Sequence, residues 1–254
     1  MNLEGYPYFQ FRGRKSTEFN MRLLDEVEFN LPESAIDFKE IAGKDGSLII
    51  DKGNYKDIEK SFPVRIYCDE NKTIPDKLRE IMAWLYPERS YSPLIFSTYG
   101  NYYYKALGYS GTSAPDKKRE WVDINFTFKC HPFMSRLDGQ EEIEIKTGQS
   151  LYNPEAFSAN PIIKFVKKSG TTDSNFYIAG KQFRVAKEAG SGEITIDSEL
   201  GIAYKEGNQN ISSLVLLNSG RYTPPQLFPG ENSFTFSDDI ENFRVTPRWR
   251  TLAL

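Results

Sequence analysis

A chain of 254 residues, 39% hydrophobic and 26% charged, can bury one large core or two of ordinary domain size, and its composition excludes a disordered or low-complexity protein. Its formal net charge of -3 leaves neither half basic, which argues against avid binding to a nucleic-acid backbone. Two cysteines and one histidine exclude a disulfide framework and a closed zinc ligand set.

No eighteen apolar residues occur in succession and the first ten residues lack a basic start with an apolar run, so synthesis in a cytoplasm without membrane insertion is expected. The 18 Phe and 15 Tyr residues lean the chain towards β-sheet. Cys68 and Cys130 stand at the ends of strand-like runs and read as buried free thiols.

In chain order, Phe19 to Phe29 alternates loosely and reads as a strand pair or a long bent strand. Apolar runs flank Asp45-Gly46, a hairpin signal because the turn that matches strand twist needs positive φ. Pro63 to Cys68 alternates as another strand. The period then changes: Leu78, Ile81, Met82 and Leu85 repeat at helical spacing, Thr73 can cap, Pro75 suits the first turn and Pro87 stops it, so a helix is expected at about 73–86. Pro93 to Phe96 and Asn101 to Gly108 read as a hairpin. Its successive tyrosines, Tyr102, Tyr103 and Tyr104, point to alternate faces and cannot form one stacking platform.

From Trp121 to Cys130 apolar and polar residues alternate, the mark of a half-buried strand, and Pro132 should end it. A polar turn with Asp138-Gly139 follows, and a second domain is expected from residue 135. There, short strands recur between turn signals with no helical period: 142–146, 161–167, 176–185 broken at Ala179-Gly180, 193–197, 201–205, 233–236 and 243–246. That pattern predicts a β-sandwich.

Catalytic and metal chemistry find little support. His131 has no serine or cysteine motif around it, and Gly108-Tyr109-Ser110-Gly111 is only part of a nucleophile elbow without strand-to-helix context. The carboxylate groups Glu141, Glu142, Glu144 and Asp238, Asp239, Glu241 read as solvated strand ends, and Asp116 to Glu120 as a solvated charged loop. No catalytic, cofactor-binding or metal residue is assigned.

The order and spacing of several motifs resemble the distal tail protein (Dit) family of long-tailed, non-contractile phages of Gram-positive hosts. In the first half these are Phe11-Arg12-Gly13-Arg14-Lys15-Ser16, Ile41-Ala42-Gly43-Lys44-Asp45-Gly46, Asn54-Tyr55-Lys56-Asp57, Trp84-Leu85, Asn101 to Ala106, and Phe126 to Phe133. The second half adds Asn160-Pro161, Ile194 to Asp197, Phe228-Pro229-Gly230-Glu231-Asn232 and Val245 to Trp249.

The resemblance implies an all-β protein with one helix. Residues 1–134 would be a sandwich or split-barrel domain with a protruding β-hairpin, and 135–254 a galectin-like sandwich. It further implies a structural, non-enzymatic hub at the tail tip or baseplate of a virion: a hexameric self-assembled ring joining tail tube and tape-measure proteins to a tail-associated (tail-spike or lysin) protein and a receptor-binding protein, with DNA passing only through the lumen and no cofactor. The galectin sugar pattern His-x-Asn-Pro-Arg has no match, since Asn153-Pro154 and Asn160-Pro161 lack both the upstream His and the following Arg. Trp249 then reads as a core residue. The hairpin is placed within residues 30–57, and Ile36, Phe38, Ile41, Asp45, Gly46, Leu48 and Ile49 are expected at a subunit interface, because this stretch holds more apolar residues than a short hairpin can hide. The competing readings are a carbohydrate-binding β-sandwich module, which predicts a monomer with exposed coplanar aromatics, and a glycan-cleaving enzyme.

Overall fold

The computed structural model describes residues 3–24, 27–69, 72–109, 120–217 and 223–254. The chain divides into two compact units, residues 1–134 with 252–254, and residues 135–251. Leu252 to Leu254, the end of the sequence region expected to form the second domain, are thus part of the first unit.

The first unit is built on a curled sheet in which the strands lie in the order Arg14–Lys15, Phe9–Phe11, Ser92–Phe96, Tyr102–Gly108, Trp121–Arg136, Ile58–Tyr67, Met21–Leu23. Its spine is an unbroken antiparallel ladder from Ile58 opposite Cys130 to Tyr67 opposite Trp121. Alternation sends Ile58, Phe62, Val64 and Ile66 inward with Val122, Ile124, Phe126, Phe128 and Cys130, all buried. On the wet face Arg65 grips Asp123 through two 2.7 Å hydrogen bonds and lies 3.8 Å over the Trp121 ring.

The strand does not end at Pro132 but runs on to Arg136. Pro132 is tolerated because the ladder with Ile58–Tyr67 stops at Cys130 and the strand Arg250–Leu252 takes over as its neighbour, where the Pro132 carbonyl accepts from the Ala253 amide at 2.9 Å. The expected strand at Phe19 to Phe29 is also shorter. Ser16–Phe19 is a 3-10 turn and, among the described residues of this stretch, only Met21–Leu23 is strand, because Asn20 turns the chain at φ 55° and Phe19 leaves the strand period to stack on Trp84 at 4.3 Å.

The helix spans Ile74–Leu85, opened by a reciprocal Thr73–Asp76 cap with Pro75 in the first turn. Its buried face is Lys77, Ile81, Trp84 and Leu85, while Met82, expected in the apolar stripe, is 54% exposed. Trp84 rotates the face: its indole stacks between Phe19 and Phe9, and its N–H donates to the Phe11 carbonyl at 2.9 Å.

The second unit is a β-sandwich, with no α-helix among the described residues. One sheet has the order Ile143–Glu144, Ile240–Thr246, Ile162–Lys167, Gly192–Asp197, Ile202–Lys205, Gln209–Asn210. The other has Ser150–Asn153, Gly230–Phe236, Ser174–Ile178, Lys181–Val185, Val215–Leu217. Both contribute to one core in which Phe243 lies within 6.0 Å of the rings of Phe165, Phe176, Phe234 and Phe236. Ala179 and Gly180, at φ 48° and 76°, form the two-residue turn between paired strands.

Trp249 is buried, and Gly139 lies directly against it, with the Arg248 amide donating to the Gly139 carbonyl at 2.7 Å. A Cβ on Gly139 would stand 2.6 Å from the Trp249 backbone nitrogen, which cannot swing aside as a flexible side chain would. Gly139→Ala is therefore expected to destabilise the second unit by about 1–3 kcal/mol, read as a lower denaturant midpoint at unchanged slope. A midpoint equal to that of the unsubstituted chain contradicts the close contact.

Candidate assembly surface

Ser34–Glu40 and Ser47–Tyr55 form a two-stranded antiparallel sheet of their own, outside the curled sheet. Its root is fixed: Ala35 is buried, the Lys56 amide donates to the Glu33 carbonyl at 2.8 Å, the Lys56 ammonium meets the Glu33 carboxylate at 2.9 Å, and Tyr55 meets Phe133 edge-on. Beyond the root every residue from Asp37 to Asn54 is exposed.

The connection is longer than the two-residue Asp45-Gly46 turn expected. The last strand pair is Glu40 with Ser47, and six residues, Ile41 to Gly46, form the tip, with positive φ at Gly43 and Gly46 and a Lys44 amide to Ile41 carbonyl bond of 3.1 Å. Of the residues assigned to the interface, Ile41, Asp45 and Gly46 lie in this tip. Ile36, Phe38, Leu48 and Ile49 lie on the strands, where the register sorts them. Ile36, opposite Asp51, and Phe38, opposite Ile49, share one face; Leu48, opposite Lys39, projects from the other.

Phe38 and Ile49 are 70% and 63% exposed, and Ile36 is half-buried. Three exposed apolar residues escaped the sequence reading: Ile50 on the hairpin, and Phe29 and Leu31 in the segment leading into it. The signal for the last two was present in Phe29-Asn30-Leu31-Pro32, where apolar residues stand in a segment that Pro32 keeps from regular pairing. Exposed apolar groups at this density within one segment mark an interaction surface.

Three of the groups considered for catalysis, His131, Glu142 and Asp239, are engaged elsewhere. His131 is packed edge-on by Tyr91, ring centres 4.3 Å apart. Glu142 is bound by Lys164 at 2.7 Å and Arg244 at 2.9 Å, and the Lys164 hydrogen bond holds its carboxyl below the usual range. Burial works to raise the Asp239 carboxyl, but hydrogen bonds from Ser174 and Ser237 and the nearby Lys167 ammonium outweigh it and hold it low. Among the described residues no group of three His, Cys, Asp or Glu side chains could hold a metal ion. Ser110 and Gly111 of the Gly108 to Gly111 motif, and the charged run up to Arg119, lie outside the described residues.

The asparagines of the second unit's motifs are structural. Asn153 is buried and donates to the carbonyls of Phe157 and Leu227, and buried Asn232 accepts from the Phe228 amide and donates back to the Phe228 and Gly230 carbonyls. Neither side chain is offered to a ligand.

Residues 15–130, most of the first unit, match the family model of the phage tail protein RIFT-related domain. The whole chain shares its fold with the crystal structure of the Dit protein of phage SPP1, a protein described as a paradigm of the hub adsorption apparatus in phages infecting Gram-positive bacteria. The TM-score is 0.73 at 16% identity, over 94% of this chain and 97% of that one. A chain of the phage p2 baseplate in its activated conformation with strontium matches at a TM-score of 0.50 and 8% identity, over 95% of this chain and 97% of that one. No curated protein sequence matches the chain. At these identities the likeness to the solved structures is one of fold, and together with the family model it upholds the resemblance to distal tail proteins.

Burial pushes the Cys130 thiol up to about 12 and leaves no side-chain surface exposed. Since the thiolate is the reactive form, a native chain treated with a maleimide or a disulfide reagent at pH 8 should leave Cys130 unmodified, while the half-buried Cys68 reacts first. Rapid labelling of both cysteines without denaturant contradicts this packing.

Proposed function

We propose that this chain is the structural hub of a long-tailed phage's tail tip or baseplate, assembling through its first unit into a hexameric ring. The supporting observation is an exposed apolar hairpin whose root is tied by the Glu33–Lys56 contacts and the Tyr55–Phe133 ring pair to a domain that matches the phage tail family model. A two-stranded hairpin is marginal alone in water, and fully burying side chains such as Phe38 and Ile49 stabilises a contact by roughly 1.5–3 kcal/mol each. Ile36, Phe38, Ile41, Asp45, Gly46, Leu48 and Ile49 are the proposed subunit contacts, and Ile50, Phe29 and Leu31 extend the same surface.

In this reading the ring joins the tail tube and tape-measure proteins on one side to the tail-associated and receptor-binding proteins on the other. The galectin-like second unit faces outward, and DNA crosses only the lumen, where a net charge of -3 does not retain passing phosphates. The site of action is the virion tail after synthesis in the bacterial host. The role is non-catalytic and uses no cofactor, which accords with carboxylates committed to ion pairs and hydrogen bonds.

Phe38→Ser with Ile49→Ser is expected to weaken self-association by about two to four orders of magnitude in dissociation constant, the loss of two buried side chains, measured by sedimentation equilibrium. The thermal midpoint of the isolated chain should stay unchanged because both residues are exposed in it. Equal association of the two proteins contradicts the hairpin's role.

A further inference from the structure

The strand register gives the hairpin two different apolar faces. Ile36, Phe38 and Ile49 share one face with Glu40, Ser47 and Asp51, whereas Leu48 and Ile50 share the other with Asp37, Lys39 and Lys52. The 2.9 Å ion pair between Lys52 and Asp37 confirms the second grouping. The first face is apolar with an acidic rim. The second is apolar with two ammonium groups against one carboxylate. Both are open: Phe38 and Ile49 are 70% and 63% exposed, and Leu48 and Ile50 are 48% and 43%.

From this we propose that the hairpins pack on one another in the assembled ring, the Phe38/Ile49 face of each copy against the Leu48/Ile50 face of the next. The inference rests on the reading of the chain as a ring-forming hub and names what the hairpin touches in its neighbour. A closed ring is made by head-to-tail contacts, which need two unlike, complementary surfaces on each copy. The hairpin supplies both. Opposite rims bring Glu40 and Asp51 of one copy towards Lys39 and Lys52 of the next, which fixes the order of the faces and disfavours like-to-like pairing. Docking against the body of a neighbouring domain would cover one face and leave the other in water, whereas stacking around a ring covers both faces in every copy.

The test uses the full chain in a Cys68→Ser background. Adjacent residues on opposite faces, Ile49 and Ile50, are each changed to Cys in separate chains. Stacked sheets lie about 10 Å apart, within the span of a short bis-maleimide. The expected result is cross-linking between the Ile49→Cys and Ile50→Cys chains when mixed, little in either alone, and a ladder of products when one chain carries both changes. In a second measurement, Lys39→Glu should weaken assembly at least tenfold, and Glu40→Lys in the same chain should recover part of that loss by reversing the charge pair between positions 39 and 40.

An oligomer that forms normally but gives no cross-link between the two faces overturns hairpin stacking while leaving the ring intact. Efficient cross-linking of Ile49→Cys chains to each other overturns the head-to-tail order. A chain that stays monomeric at the highest soluble concentration overturns both the stacking and the ring.

Discussion

The ladder between Ile58–Tyr67 and Trp121–Arg136 is the element on which the first unit depends, because it joins the core to the surface proposed for assembly. Its inward side chains meet Phe9 and Trp84 in an aromatic cluster, where Phe62 lies 4.9 Å from Phe9 and Phe128 lies 5.6 Å from it. Its first strand is also the direct continuation of the hairpin, which ends at Tyr55 three residues before Ile58. Rigid packing on one side therefore sets the direction in which an unsupported, apolar pair of strands leaves the body. A fixed direction favours a closed ring, since a hairpin free to swing would lose conformational entropy on every contact.

The same ladder carries the first unit's least conventional core residue. Lys60 occupies an inward position and has no exposed surface; its ammonium donates to the carbonyl of Glu28 at 2.5 Å and to the main-chain oxygen of Leu254 at 2.9 Å. The Tyr104 hydroxyl donates to that same Leu254 oxygen at 2.7 Å. Burial lowers the Lys60 ammonium and raises the Tyr104 hydroxyl from their ordinary values, each favouring the neutral form. These two donors account for the return of residues 252–254 to the first unit, together with Ala253, which is buried in its core. An apolar residue at position 60 would leave the Leu254 oxygen with Tyr104 alone and remove the Lys60 donor from the Glu28 oxygen, which explains why a lysine sits in an otherwise aromatic interior.

Much of the fold was legible wherever one physical signal dominated. Alternation from Trp121 to Cys130 and the Thr73, Pro75 and Pro87 signals placed the principal strand and the helix, because burial on one side and capping are both written locally. The buried face of the helix was not so legible. Met82 matched the apolar period as well as Trp84 did, and only the stacking of Phe9 and Phe19 on the indole decides between them. Pro132 misled because a proline's cost depends on whether a neighbouring strand draws on its N–H or only on its carbonyl, which is a tertiary fact. Ser150–Asn153 and Val215–Leu217 were missed because strands of three or four residues carry almost no period. The hairpin was legible from an excess of apolar residues, but its cross-strand pairs were not, since a tip of six residues rather than two slides the register by four residues and changes which side chains lie opposite each other.

The proposed role as hub turns on self-association, so the decisive measurement is the native mass of the purified chain across a concentration series, by native mass spectrometry or light scattering. The account predicts a species of six times the 29.2 kDa chain mass that grows at the expense of monomer as concentration rises, with no build-up of open intermediates of indefinite length. A strict monomer at every concentration, or a closed dimer that does not grow further, would contradict it.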